Sequence, residues 1–389
     1  MPDLDEIIER RGTGAFKYDA RGRVFGNDDV LPLWVADMDF RAPDCVIEAL
    51  SSRLAHGVFG YPVRGDAFFS SIIGWMMHRH GWSVDRDWIA FSPGVVPALN
   101  ICVQAFTNPG DGIIVQPPVY HLFFSAVRDH KRSLLYNSLV MDESGYRMNL
   151  GELESLMKNG AKMMILCSPH NPVGRVWSRN ELASVAGLCR DYGVILVSDE
   201  IHSDLVFPGH THVPVSSLVN SSSPGIITCI SPSKTFNIAG LSTAAVIIPD
   251  PNLRTRYKSV LNAFHLGSGT IFGDTALEAA YTLGGPWLDE LLEYLRINRD
   301  FAVDFINSNI RGMTAMKPEA TYLLWIDCTG TKMDDAELRK FFIEKAGVGL
   351  SDGPIFGPGG NGYQRLNFAC TRSVLEAALK RISSAAESF

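Results

Sequence analysis

The sequence predicts an α/β fold: a mainly parallel sheet with helices on both faces, joined to a smaller α+β domain. Two observations carry this. Short, continuous apolar runs recur at Trp88–Phe91, from Ile113, at Met163–Cys167, and over 194–198, 226–230 and 244–248, with amphipathic or capped helical stretches between them. Strands that are apolar along their whole length are buried on both faces, as parallel strands under crossover helices are. Near Gly284-Gly-Pro286 the alternation stops, and Leu288, Leu291, Leu292 and Leu295 open a long helix that leads away from the sheet.

The elements follow in order. Residues 1–42 hold few helical signals, and Trp34-Val-Ala-Asp-Met-Asp-Phe40 reads as an extended, tightly docked segment. Pro43 fits the first turn of a helix whose face is Val46, Ala49, Leu50 and Leu54. Phe68, Ile72, Trp75 and Met76 mark a second helix. Ser92-Pro-Gly-Val-Val-Pro97 turns the first strand into a helix that Asn108-Pro-Gly-Asp stops. Asn149 with Glu152, and Ser178 with Glu181, have capping-box spacing. Past the long helix come an extended run Tyr322–Asp327, a helix near 334–346, the strand Arg365-Leu-Asn-Phe and a terminal helix after Ser373.

At 389 residues the chain favours two domains over one core, and 46% apolar with 20% charged residues suits a folded protein. A formal charge of −7 argues against a broad nucleic-acid surface. The seven cysteines are scattered without a CxxC pair, which favours a reducing compartment. The opening is acidic rather than signal-like, and no apolar run reaches spanning length, so a cytoplasmic protein without membrane contact is expected. His78-Arg-His80 and His210-Thr-His212 lack companion ligands at metal-site spacing and read as loop or surface histidines; no metal is expected.

The chemistry-bearing residues gather where strands end. Asp199 closes the run 194–198, Asn171 follows 163–167, and Ser231, Ser233 and Lys234 follow 226–230. Ligands of open α/β sheets collect at the carboxyl ends of strands. A lysine amine and a carboxylate in one crevice can hold an aldehyde cofactor covalently and keep its ring nitrogen protonated. Gly94-Val95-Val96 lies between a strand and a helix, where main-chain N–H groups suit a phosphate. Neither a Walker loop nor a dinucleotide fingerprint is present.

Several motifs then stand in a telling order: Arg11-Gly-Thr, Trp34–Phe40, Phe59-Gly-Tyr-Pro, Ser168-Pro-His-Asn-Pro-Val-Gly174, Asp199-Glu-Ile-His202, Ser231-Pro-Ser-Lys-Thr-Phe-Asn and Arg365-Leu-Asn-Phe-Ala-Cys-Thr-Arg372. Over nearly its full length the chain resembles fold-type-I pyridoxal-phosphate enzymes, and within them the MalY/PatB-like cystathionine or cysteine-S-conjugate β-lyases. The resemblance implies a seven-stranded, mainly parallel sheet. It implies a large pyridoxal 5'-phosphate domain over 46–285, a small α+β domain over 286–389, and an N-terminal segment, 1–45, shared by the small domain and the rim of the site. It also implies that Lys234 holds the cofactor aldehyde and later moves the substrate α-proton. Asp199 would pair with the ring nitrogen, Asn171 would bond the phenolic oxygen, and Tyr120 would cover a ring face. Val95 and Val96 main chain, with Ser231 and Ser233, would secure the phosphate. Tyr61 would reach the neighbouring subunit's phosphate site in a homodimer, and Arg365 would take the substrate carboxylate.

The implied reaction is β-elimination from a sulfur-containing L-amino acid, giving pyruvate, ammonia and a thiol. An aminotransferase is the alternative enzyme, and a cofactor-containing regulatory or interaction module the alternative of another class. Ser242 stands where many aminotransferases carry a phosphate-contacting arginine, which favours the lyase branch. Lys17-Tyr18-Asp19 replaces that branch's Lys-Trp-Asp. His202 stays open between a cofactor contact and a supporting position behind the site, and the 353–362 run between a pocket gate and a compact turn-rich connection.

Overall fold

Seven strands form the central sheet of the computed structural model, which describes residues 3–143, 145–218 and 225–387. Across the sheet they run Ile89–Ser92, Ala244–Ile247, Ile226–Ile230, Ile195–Asp199, Met163–Cys167, Gly112–Val115 and Ser133–Tyr136. All neighbouring pairs are parallel except those of Ala244–Ile247, which is antiparallel to both its partners. Six strands therefore point their carboxyl ends to one edge. Met163–Cys167 and Ile226–Ile230 are buried at every position, as strands covered on both faces must be.

The helix Val95–Phe106 crosses one face and contributes Leu99, Cys102 and Val103 to a core beneath Ile227 and Val246. Arg179–Tyr192 packs on the other face through Leu182, Val185, Ala186 and Cys189, the face expected from its spacing. Its capping box is complete: Ser178 accepts from the Glu181 N–H while Glu181 accepts from the Ser178 N–H. At the other site the box is half formed. Asn149 Oδ1 accepts from the Glu152 N–H, but Glu152 accepts from the buried Asn137 amide instead of returning to the cap.

Elements not read from sequence include the short helices Phe16–Asp19 and Arg21–Phe25, Leu122–Arg128, Ser133–Tyr136, the hairpin Val140–Asp142 with Gly145–Arg147, and the helices Pro251–Ala263 and Ile271–Leu283. The helix near 334–346 is α-helical over Asp335–Lys340 and then widens to a π turn, Phe341–Lys345.

The helix Gly285–Asn309 leads to a second sheet ordered Thr314–Ala315, Leu323–Asp327, Tyr363–Asn367, Ser351–Asp352, on which Arg372–Ala386 packs. Leu31–Pro32 pairs in parallel with Val348–Gly349, and the Asn367 N–H donates to Leu33 O. The N-terminal chain thereby reaches Trp34–Phe40 already docked beside the strand that carries Arg365.

His78 and His210 are exposed, as expected, but their companions His80 and His212 turn their rings inward. His212 is buried within its loop and the His80 side chain is covered at a helix end: His80 Nε2 meets Asp204 Oδ1 at 2.8 Å, and His212 Nε2 meets Glu200 Oε2 at 2.9 Å. Their rings meet edge to face at 5.5 Å. Burial of those two carboxylates requires such partners. Among the described residues no cluster of metal-ligating side chains occurs.

Candidate active site

A cavity of about 600 Å³ opens at the carboxyl edge of the central sheet, against the second sheet and the 34–36 segment. Val95, Val96, Tyr120, Asn171, Asp199, His202, Ser233, Lys234 and Arg365 all line it. Strand pairing sets part of this geometry: Asp199 ends its strand flanked by Cys167 and Cys229 at the same level.

Lys234 sits in the short helix Pro232–Thr235 that begins as soon as the strand Ile226–Ile230 ends. Its amine donates to Ala36 O at 2.6 Å, and the Tyr322 hydroxyl donates to the same carbonyl at 3.0 Å. Desolvation lowers the amine to about 8, partly opposed by the negative charge of Asp37 and Asp199 and reinforced by Arg365. The helix that presents it is fastened from below. Asp204 accepts from Thr235 Oγ1 at 2.7 Å and from Trp75 Nε1 at 3.0 Å, besides His80.

Asp199 is buried, and burial raises its carboxyl to about 7; the Ile201 N–H, bonded at 3.1 Å, and Lys234 pull the other way. A positively charged nitrogen placed against it would restore the ionised form. Asn171 accepts from Arg365 Nη1 at 3.0 Å through Oδ1. Since a guanidinium only donates, this contact fixes the amide orientation and leaves the NH₂ as a donor.

Arg365 also donates through Nη2 to Trp34 O at 2.9 Å and to Ser351 Oγ at 3.3 Å, and lies over the Phe356 ring at 4.9 Å. Burial lowers it to about 10, and its Nε has no partner. Among the described residues no carboxylate pairs with this buried guanidinium, which suits it to receive one. Burial drops His202 to about 3, so its ring is neutral; Nδ1 is unpartnered and the ring meets Tyr322 edge to face. Tyr120 stands edge-on to His121 and Phe123, and desolvation lifts its hydroxyl to about 12.

The helix Val95–Phe106 starts at Gly94 without a side-chain cap, so its first N–H groups face the cavity rim unclaimed. Ser231 departs from expectation: it does not line the cavity. Its hydroxyl lies within bonding distance of Thr243 O at 2.8 Å and Ser233 Oγ at 2.9 Å, and accepts from the Ser233 N–H. A serine that caps a helix from behind keeps its neighbour in place. Tyr61 is also outside the cavity of its own chain, fully exposed beside Phe59 and Phe272.

Phe16, Trp34, Val35, Ala36, His121, Ser351 and Ile355 line the cavity without having been singled out for it. The docked 34–40 run was legible, but its carbonyls are ordinary main chain whose targets depend on tertiary contact. Ile355 comes from the 353–362 connection, which therefore borders the cavity.

The uncapped helix, buried carboxylate, amide donor and partly desolvated amine suit a phosphorylated heteroaromatic aldehyde. The profile of the family "Aminotransferase class I and II" matches residues 28–382. Cystathionine beta-lyase PatB of Bacillus subtilis is 46% identical over 98% of this chain and 99% of its own length. The protein belongs to the MalY/PatB-like branch of that family. Protein MalY of Escherichia coli is 35% identical to this MalY/PatB-like protein over 99% of both chains. Among solved structures, cystalysin from Treponema denticola, which contains pyridoxal 5'-phosphate, superposes with a TM-score of 0.96 at 36% identity, covering 100% of this chain and 99% of that one. The pyridoxal-phosphate-bound C–S lyase from Staphylococcus hominis gives 0.91 at 32% identity over 98% of both.

Proposed function

We propose that this protein is a pyridoxal 5'-phosphate-dependent carbon–sulfur β-lyase, cleaving L-cystathionine or related L-cysteine S-conjugates to pyruvate, ammonia and a thiol. The observation that carries the reading is the convergence of Lys234, Asp199, Asn171 and Arg365 on one cavity in a chain of this family. The cofactor, when bound, withdraws electrons from the substrate α-carbon and so makes its proton removable.

The chain's own residues do the rest. Lys234 would hold the aldehyde and, as a free amine that burial has already brought near neutrality, would remove the substrate α-proton. Asp199 would keep the ring nitrogen charged, and the Asn171 NH₂ would bond the phenolic oxygen. Arg365 takes the substrate carboxylate on a guanidinium that Phe356 and Asn171 hold in orientation. The Val95 and Val96 N–H groups with Ser233 would receive the phosphate, Ser231 fixing Ser233, and Tyr120 would cover the ring. As the carbon–sulfur bond breaks, sulfur leaves as the thiolate. The released unsaturated amine takes up water to give pyruvate and ammonia.

A homodimer with shared sites is supported by Val58, Phe59, Tyr61 and Val63, large apolar side chains exposed along one stretch. Through it Tyr61 would reach the partner's phosphate site. No helix of the described residues is long and apolar enough to cross a membrane. Seven unpaired cysteines support a reducing, cytoplasmic setting.

The deciding experiment measures pyruvate from L-cystathionine with the loaded protein and no keto acid. Sustained release beyond one equivalent per site is expected. No pyruvate from any S-substituted cysteine, with the substrate converted to its 2-oxo acid only when a keto acid is added, overturns the lyase.

A further inference from the structure

One hydrogen bond from each of the two main functional groups ends on the same stretch of backbone. Lys234 donates to Ala36 O at 2.6 Å, and Arg365 donates to Trp34 O at 2.9 Å. Two asparagines hold that stretch, each belonging to an element that carries one of those groups. Asn367 shares the strand Tyr363–Asn367 with Arg365, and as alternate residues they share a face. Its Nδ2 donates to Val35 O and to Asp37 O, both at 2.6 Å, while its Oδ1 accepts from the Ala369 N–H at 2.8 Å. Asn237 follows Lys234 on the same turn. Its Oδ1 accepts from the Met38 N–H at 3.0 Å, and its Nδ2 donates to Met38 O at 2.9 Å and Phe40 O at 2.8 Å.

The outer side of the stretch is clasped by charge. Arg10 reaches Asp37 at 2.7 Å and Asp39 at 2.5 Å, and the fully buried Lys17 reaches Asp39 at 2.8 Å. Asp37 in turn is the largest of the charges that favour the protonated Lys234 amine. One rib of main chain is thus keyed to the lysine's turn on one side and the arginine's strand on the other.

We propose that Asn237 and Asn367 are positioning residues, which register the 34–40 rib so that Lys234 and Arg365 stand at a fixed separation. This rests on the lyase reading for the identity of what the two groups hold. Neither asparagine lines the cavity. Asn367 acts through Trp34 O on the guanidinium, and Asn237 through Ala36 O and the Asp37 charge on the lysine nitrogen. A shift of a few tenths of an ångström at such a site changes reactivity more than stability.

The test uses ligands that bind the loaded enzyme without reacting at sulfur, with binding read from the cofactor's absorption. L-Alanine carries the carboxylate and L-alaninamide lacks it. Asn367→Ala should weaken L-alanine about tenfold, the loss of roughly one charge-assisted bond's alignment, and leave L-alaninamide unchanged. Equal weakening of both ligands, or no weakening of either, overturns the role through Arg365. Asn237→Ala should move the pH at which the visible cofactor band titrates downward, because the carbonyl and the Asp37 charge that favour the protonated nitrogen move away; an unmoved midpoint overturns the role through Lys234.

Asn367 is fully buried, so Arg10→Gln at the rim supplies a second variant that loosens the same rib without emptying the core. It should give a smaller loss of the same carboxylate-selective kind, and decides the matter if Asn367→Ala does not fold. The parent protein's cofactor band and pyruvate release report separately on the lyase reading, so failure of that reading and failure of this one are told apart.

Discussion

At the residue scale the site is a pair of opposed titrations. Burial pulls Lys234 down to about 8 and pushes Asp199 up to about 7, which places both near neutrality before any ligand arrives. For stability the signs follow directly. The folded Lys234 binds its proton less tightly than the unfolded chain does, so its cost to stability falls as pH rises from about 8 towards the ordinary lysine value. Asp199 binds its proton more tightly when folded, so its share of stability declines as pH rises through about 7. In the cofactor-free protein, labelling of Lys234 by an amine reagent, followed by mass spectrometry, should therefore show a midpoint near pH 8. Surface lysines should titrate about two units higher. Asp199→Asn removes a charge that favours the ammonium and should shift that midpoint lower; a higher or unchanged midpoint contradicts the coupling. Lys234→Ala should depress pyruvate release by about a thousandfold or more, since both covalent attachment and proton transfer go with it. Normal turnover with the same substrate removes the lysine from the centre of the reaction. The types of these residues were legible because strand, turn and polar residue lie next to each other in the chain. The Arg365–Asn171 contact was not, because its partners are brought together only by the packing of two sheets.

At the element scale, what could be read was what is local. The Ser178–Glu181 box formed as spaced, because both bonds stay within one turn. The Asn149–Glu152 box did not close, because a distant buried amide, Asn137, competes for Glu152. The helix Pro251–Ala263 carried an Asp250 cap and a proline in its first turn, yet buries only Leu253, Tyr257 and Leu261, too thin a stripe to stand out. Ser133–Tyr136 is an edge strand without a fully buried residue. The Ser168–Gly174 loop ties such local chemistry to the site. Gly174 has φ +72 and its carbonyl accepts from the Glu319 and Ala320 N–H groups. A Cβ there would press on the Pro318 side chain and come within 3.1 Å of Pro318 Cα and 3.3 Å of Ala320 O. Gly174→Ala combines a left-handed penalty with overpacking, together about 2–5 kcal/mol. Its urea midpoint should fall markedly, and L-alanine binding should weaken with it, because Asn171 shares the loop. A midpoint equal to that of the parent shows that the loop gives way without cost.

At the scale of the whole molecule the α/β plan was legible because repeated apolar runs reflect sheet burial directly, while the reversal of Ala244–Ile247 was not, since a strand's direction leaves no mark on its composition. Assembly is harder still: an exposed aromatic is informative only when its neighbours are exposed too. Tyr61 is 100% exposed, and Val63 is 92% exposed beside it. Isolated apolar residues on a surface need no partner, but a contiguous set does. If that set is the face through which two copies join, and Tyr61 completes the other copy's phosphate site, two defective chains can repair one another. A Lys234→Ala chain keeps a working Tyr61, and a Tyr61→Ala chain keeps a working Lys234. Each alone should be nearly inactive. After the two are unfolded and refolded together in equal amounts, random pairing makes half the dimers mixed, and each mixed dimer holds one intact site of two. Activity should then recover to roughly a quarter of the parent level. The same recovery must be absent when the two proteins are mixed without refolding, if exchange between dimers is slow. No recovery after refolding, with dimers confirmed by sedimentation, would mean that each chain builds its site alone and that the exposed strip serves assembly without serving catalysis.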